Sequence, residues 1–428
     1  MAEFDILENE LRGMVGNHYT QAPGVGAVLI KDGKPVFSFC GGYAVLGTEP
    51  RHFKMDSLFR IASISKQFTI YAVLQLIEEG KLSLDADISD FLGFKLRHPE
   101  FPDTVISVKM LANHTSGLRD GMVYCIPPGY SVRAFFVPEG KFYEDGAHFS
   151  PVNEPVGEFF SYCNLNYGLL GTIVEAVSKE RFDHYVQNHV LKALDINGGY
   201  LPGNLSINEF ASLGTLYQKK DIAGNWRDDM PWRPVMDNFR GIKPARDTVT
   251  MQNPYVLHDD LRVYSLDNYT PGTNATFFAP QGGLRISLEG MYNALLMLMN
   301  RGNFRGKEFL KEASINEMLR IQWSYNGHNG DTGDDTLLSY GLGLYQIRGD
   351  TSSRVYPQQD IFLIGHTGQA FGLYSGMFFA PGSRDGFLYI INGVGLSEDD
   401  VRSKGKFSGN FIWEETIMSA LYEGLNKK

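Results

Sequence analysis

The sequence predicts an α/β protein in which an antiparallel sheet flanked by helices is assembled from both ends of the chain and carries an inserted, mainly α lobe. Three observations predict it. Two β-rich runs, 26–31 and 35–41, meet at Asp32-Gly33, a dipeptide suited to the positive-φ positions of a tight hairpin. Further strand patterns return only late, at 340–347, 373–380 and 387–392. Between them the periodicity is helical, at 167–177 and 291–299 among other places. Strands at both ends and helices between imply one discontinuous sheet domain, 1–85 with 305–428, and an inserted lobe, 86–304. A length of 428 residues exceeds one usual core, in keeping with two lobes.

The elements follow in order. Phe4, Leu7, Leu11 and Met14 stand at helical spacing, so an amphipathic helix opens the chain. The hairpin comes next. A helix beginning near Ser63 is apolar almost all round, from Ile64 through Phe68, Ile70, Tyr71, Leu74 and Ile77 to Gly80, which marks a core helix. Residues 202–280, inside the predicted lobe, lose periodicity and gather Trp226, Pro231, Trp232, Pro244, Pro254, Tyr264, Tyr269 and Pro271. Long irregular stretches in compact proteins are usually lids or binding loops, so this one is expected to border a substrate cleft. Ile412, Ile417, Ala420 and Leu421 place a final helix at the end.

Composition excludes several classes. A net charge of -10 lacks the basic face that a nucleic-acid partner needs, leaving a small molecule or peptide as the expected substrate. Cys40, Cys125 and Cys163 are odd in number and far apart, so they read as free thiols in a reducing compartment. The first five residues form neither a basic nor an apolar leader, and no stretch approaches about 18 apolar residues. As written the sequence reads as cytoplasmic; a periplasmic or secreted protein stripped of its signal would read the same. Asp331, Asp334 and Asp335 lack calcium-loop spacing and are read as a solvated loop. No metal or cofactor is expected, and the oligomeric state is left open.

The chemistry centres on Ser63-Ile64-Ser65-Lys66. If helical, Ser63 and Lys66 share a face, and a Lys amine whose pKa is lowered by burial can deprotonate a Ser hydroxyl. Alone the pattern is weak: it recurs at Ser403 and Lys406 in a polar run read as a surface loop. Two further triplets strengthen it. Tyr162-Cys163-Asn164 offers a phenol that can carry protons and an amide that can fix a neighbour. His366-Thr367-Gly368 lies just before the 373–380 strand, where a glycine would let substrate approach a strand edge. A decoy His-x-Gly occurs at His328-Asn329-Gly330.

These three motifs in this order resemble the serine β-lactamase and penicillin-recognising family, specifically its class C-like branch. That branch holds class C β-lactamases, D-Ala-D-Ala carboxypeptidases, D-aminopeptidases, D-amino acid amidases and related esterases. Further landmarks are similar and in family order: L-A-N-H-T-S-G-L at 111–118, Gln281-Gly282-Gly283-Leu284 and Tyr340-Gly341-Leu342-Gly343. The resemblance implies a β-lactamase/transpeptidase-like fold. It makes Ser63 the acylated nucleophile, with Lys66 and Tyr162 sharing its proton and Asn164 binding Lys66 or the substrate amide. His366, Thr367 and Gly368 would form the third motif, and the N–H groups of Ser63 and Gln369 the oxyanion hole, each donor contributing about 3 kcal/mol. His366 stands where β-lactamases of this branch usually carry Lys, which counts against a true β-lactamase. It could meet a substrate carboxylate as a cation or act as a neutral hydrogen-bonding group. Cys163 replaces the commoner Ser as a packing residue, and His114 is read as structural.

The expected protein is therefore a serine hydrolase that cleaves an amide or ester through an acyl-Ser63 intermediate, with a D-amino-acid peptide or amide as first substrate. A carboxylesterase or weak β-lactamase is the alternative among enzymes. A non-catalytic penicillin-binding or sensor module is the alternative of another class, against which the intact Ser63, Lys66 and Tyr162 speak.

Overall fold

The computed structural model describes residues 4–252 and 261–426; residues 1–3, and Pro254 of the 202–280 stretch, lie outside the described residues. Helix α1 (Asp5–Gly13) buries Leu7 and Leu11 and leads into the hairpin of β1 (Gly24–Lys31) and β2 (Lys34–Val45). Asp32 and Gly33 take φ 47° and 72°, as a two-residue turn with both central residues left-handed requires. Strand β3 (Arg51–His52) and helix α2 (Ser65–Glu78) follow, then α3 (Asn164–Ser178) and α4 (Leu288–Met299). The C-terminal part supplies β4 (Trp323–Ser324), β5 (Ser339–Tyr340), β6 (Tyr345–Ile347), β7 (Leu363–Ala370), β8 (Leu373–Ala380) and β9 (Asp385–Ile391), and ends in α5 (Ile412–Asn426).

Among the described residues these strands form a nine-stranded sheet in the order β4-β5-β6-β7-β8-β9-β1-β2-β3, with every neighbouring pair antiparallel. Side chains alternate between its faces, and both faces are covered. Val28, Ile30, Met377, Phe379, Leu388 and Ile390 join the core that includes α2, α3 and α4. Val25, Ala27, Leu29, Phe378, Phe387 and Ile391 join a second core with Leu7 and Leu11 of α1 and Ile417 and Leu421 of α5. Two-sided burial explains why β1 and β8 read as nearly continuous apolar runs.

Two elements depart from the sequence reading. The expected 340–347 strand is split into β5 and β6, because Gly343 at φ 72° turns the chain and Gly341 N–H bonds back to Leu344 O. The 202–280 stretch contains short strands that its proline and aromatic density hid: Leu216–Gln218 pairs with Arg233–Met236, and Thr248–Gln252 with Leu261–Ser265. Among the described residues no helix is long and apolar enough to cross a membrane.

Strand β7 positions the site. It pairs along its length with β8, but β6 covers its other edge only from Leu363 to Gly365. The uncovered remainder runs beside the turn that carries Ser63, where Ser375 of β8 donates to Ile61 O at 3.0 Å. A Cβ on Gly368 would stand 2.4 Å from Ile61 O and 2.4 Å from Ser375 Oγ. The missing side chain thus makes room for the chain's own turn, where the sequence reading expected room for substrate. Gly368→Ala is expected to cost about 1–3 kcal/mol by overpacking, read as a lowered melting temperature.

Candidate active site

Residues Phe59–Arg60 form a short strand paired with Arg285–Ile286, after which the chain tightens into a 3-10 turn, Ala62–Ile64, and enters α2. Ala62 sits at φ 45°, a left-handed position that costs a non-glycine residue on the order of 1–3 kcal/mol and persists only where its surroundings enforce it. They do: Ile61 N–H donates to Leu284 O at 2.9 Å, and Leu284 N–H to Ser65 Oγ at 3.2 Å. Ser63 is presented at the head of the core helix.

Lys66 is fully buried one turn on, its Nζ 3.1 Å from Ser63 Oγ, 2.9 Å from Asn164 Oδ1 and 3.2 Å from Gln281 O. It lies 4.6 Å from the centre of the Tyr162 ring. Three acceptors match the three N–H donors of an ammonium. Burial nevertheless pushes the amine down to about 7, against the opposing pull of the Asp120 carboxylate. The Tyr162 hydroxyl bonds the Ser63 side chain, and burial raises its pKa, so near neutral pH it is a phenol.

Asn164, the first residue of α3, joins Lys66 to a residue the sequence reading missed. Its Nδ2 donates to Asp120 Oδ2 at 2.9 Å, while Leu165 N–H donates to Asp120 Oδ1 at 2.8 Å. Asp120 therefore caps α3 and orients the amide that holds Lys66. Its signal was distance: nothing local ties a carboxylate to a helix more than forty residues later. On the other side of Tyr162, the buried His114 accepts the Cys163 N–H at Nδ1 (3.1 Å) and lays its ring 4.4 Å from that of Tyr162. Burial holds it well below the usual histidine range, a neutral, structural role. Cys163 is buried with its thiol pushed up, and all three cysteines are free.

The third motif arrives on β7. The two-residue loop Phe371-Gly372, at φ 56° and 87°, closes on a hydrogen-bonded Ala370–Leu373 pair. The next pair, Gln369–Tyr374, is then non-bonded, so the Gln369 N–H points to the uncovered edge beside Ser63. The Gln369 side chain donates to Glu414 Oε2 at 2.7 Å, and burial raises Glu414 to about 8. Glu414, from the first turn of α5, is the second residue sequence reasoning missed. Ser63, Tyr162, Asn164, His366, Thr367 and Gln369 all line one cavity of about 1410 Å³. Met236, Phe239, Val249 and Met251 of the 202–280 stretch line it too.

Residues 11–406 match the family model described as Beta-lactamase. The chain belongs to the beta-lactamase family. Members of that family are serine hydrolases, some of them non-catalytic. Protein flp of Staphylococcus aureus (strain N315) is 30% identical over 173 residues, 40% of this chain and 33% of that protein. The D-aminopeptidase of Brucella anthropi is 31% identical over 181 residues, 41% of this chain and 32% of that protein. The chain thus spans about a third of the length of the curated relatives it matches. Among solved structures, the D-amino acid amidase of Ochrobactrum anthropi SV3 complexed with D-phenylalanine superimposes with a TM-score of 0.64 at 18% identity, covering 99% of this chain and 100% of that one. The octameric penicillin-binding protein homologue of Pyrococcus abyssi gives 0.58 at 24% identity, covering 88% of this chain and 70% of that one. The fold is β-lactamase/transpeptidase-like.

In this beta-lactamase-family chain the third motif begins with an uncharged histidine. His366 is buried, its Nδ1 paired with the Thr367 carbonyl and its Nε2 3.0 Å from the Tyr340 hydroxyl. A carbonyl can only accept, so Nδ1 carries the proton and Nε2 accepts from Tyr340. Burial first, and Lys66 second, push the ring down to about 3. These contacts fit the neutral, hydrogen-bonding alternative better than the cationic one. Thr367 lies beside it, its Oγ1 3.2 Å from the Tyr345 hydroxyl. The decoys do other work. Ser403 is buried rather than on the surface, donating to Glu398 O and Asp400 O, while Lys406 is exposed. Asn329 O accepts the Phe160 N–H at 2.9 Å, anchoring the segment before Tyr162.

Proposed function

We propose that this chain is a serine hydrolase that cleaves an amide or ester through an acyl-Ser63 intermediate, acting on D-amino-acid-containing peptides or amides. The observation that carries the reading is the Lys66 amine, buried, 3.1 Å from Ser63 Oγ and poised near neutrality. As a neutral amine Lys66 takes the Ser63 proton while Oγ attacks the carbonyl. The proton passes through Tyr162 to the departing amine or alcohol. The N–H groups of Ser63 and Gln369 hold the oxyanion, and the same pair of proton carriers then activates the water that releases the acyl group. Asn164, held by Asp120, fixes Lys66 in register.

The likeness to a D-aminopeptidase and to a D-amino acid amidase supports a D-amino-acid substrate. A neutral His366 favours the amidase or aminopeptidase reading over a carboxypeptidase, which needs a cation for the terminal carboxylate. The test is intact mass after incubation with a fluorophosphonate, penicillin G and D-alanine amides, followed by turnover of whichever acylates. Hydrolysis of D- but not L-amino acid amides is the expected result; an adduct away from Ser63 would overturn the reading. Because His366 does not titrate near neutrality, the kcat/KM ratio of terminal-carboxylate to matched neutral substrates is expected to stay flat from about pH 5 to 8. A break near about 6.5 would show a protonating His366.

A further inference from the structure

Three cations line the cavity that holds Ser63, and they are not equivalent: Arg60, Lys220 and Arg285. Arg285 is matched. Its Nη2 and Nε donate to the two oxygens of Asp237 at 2.7 Å and 2.8 Å, both groups being buried. Arg60, the strand partner of Arg285, feels the Asp237 charge but makes no hydrogen bond to it among the described residues.

Among the described residues Arg60 has no such partner. Its guanidinium lies 5.4 Å from the Phe371 ring centre, and its one side-chain contact of hydrogen-bond type is Nη2 to the Met236 sulfur at 3.9 Å, a weak acceptor. Its Nε is buried with no partner among the described residues. Burial first, and the neighbouring Arg285 second, lower its pKa to about 10 against the opposing pull of Asp237, so it remains charged at neutral pH. Lys220 lines the same cavity over the Trp226 ring at 4.6 Å, again with no carboxylate among the described residues. Among the described residues the other carboxyls that line the cavity have partners elsewhere: Asp334 with Lys404, Glu398 with the Tyr374 hydroxyl and Glu414 with Gln369. A guanidinium between aromatic and thioether walls, with no hydrogen-bonded carboxylate among the described residues, is costly in the empty protein and is relieved by a planar anion.

We propose that this part of the cavity receives a carboxylate carried by the substrate, with Arg60 as its principal ligand and Lys220 in support. The proposal rests on Ser63 being the nucleophile of the same cavity. It sharpens the substrate class to D-amino acid derivatives bearing an acidic group away from the scissile bond, since His366 supplies no charge beside it.

The test uses matched ester pairs, so that it stands apart from the D-amino-acid reading. p-Nitrophenyl hydrogen glutarate is compared with p-nitrophenyl glutaramate for a carboxylate on the acyl side. Butyrate esters of 4-hydroxybenzoate and 4-hydroxybenzamide are compared for the leaving side. The wild type is expected to favour the acid of one pair by about tenfold or more in kcat/KM. Arg60→Gln is expected to erase that preference, and Arg60→Lys to keep part of it. No preference in either pair, or a preference untouched by Arg60→Gln, would overturn the proposal. Should Arg60→Gln fail to fold, glutarate and glutardiamide are compared as protectants of wild-type Ser63 against a fluorophosphonate. Protection by the dianion alone supports the site, and equal or no protection refutes it. The pair D-glutamic acid α-amide and D-glutamine α-amide then reads the D-amino-acid substrate itself; failure of both amides with a retained ester preference would sink the D-amino-acid reading and leave Arg60 standing.

Discussion

Ser63→Ala is expected to lower ester and amide turnover by about 10⁴-fold or more and to abolish labelling by a fluorophosphonate, as losses of a nucleophile do. The fold should survive. The Ser63 hydroxyl bonds Lys66 and Tyr162, and without it Lys66 keeps Asn164 Oδ1 and Gln281 O as acceptors. Loss of such a bond costs about 1 kcal/mol, a shift of a few degrees in melting temperature. Ser403→Ala is the internal control, because that hydroxyl is spent on two backbone carbonyls and has no amine beside it. Full activity in Ser63→Ala at unchanged stability would remove Ser63 from the chemistry.

Lys66→Met is expected to lower kcat/KM by about 10²–10⁴-fold and to change its pH dependence. In the wild type kcat/KM should rise with pH through about 7 as the buried amine loses its proton. The variant should lose that limb. Stability carries the same signature. The folded amine titrates at about 7 and the free side chain at 10.5, so between those values the unfolded chain holds one more proton. Stability from this group therefore rises with pH across that window and is lost as pH falls through about 7. Melting temperatures of wild type and variant should draw together as pH climbs toward 10. A pH-independent difference would mean that the folded amine keeps its proton as long as the unfolded one does, its pKa not lowered by burial. Removing Tyr162 as well should add far less than its own effect, since groups that share one proton fail together.

Much of this was written locally. Asp32-Gly33 announced its hairpin because few dipeptides tolerate two positive φ values, and the α2 helix and β8 strand were legible because both are buried nearly all round. Strand β7 escaped because Gly365, Gly368 and the polar His366, Thr367 and Gln369 interrupt its β pattern, and those interruptions are what the neighbouring Ser63 turn needs. The split between β5 and β6 escaped for the opposite reason: Gly341 and Gly343 alternate with leucines and mimic a strand. Ser63, Lys66, Tyr162 and Asn164 could be singled out by residue type and spacing. Asp120 and Glu414 could not, since each matters through one contact across a long stretch of chain. The unmatched charge of Arg60 is likewise invisible in sequence, being a property of what fails to reach it.

The order of strands in the sheet also dictates a timetable. Strand β1 sits between β2 and β9, with Val25 opposite Ile391 and Ile30 opposite Gly386. The hairpin thus waits for a partner made roughly 350 residues later, on the order of tens of seconds at about 5–20 residues per second. A lone hairpin is marginal in water, and this one offers an unpaired edge and two apolar faces in the interval. The sheet can close only after β9 has been made, so its assembly is governed by contacts between distant segments and is slow. Occupancy of that early edge by chaperones, and competition from aggregation when they are scarce, follow from where β1 lies.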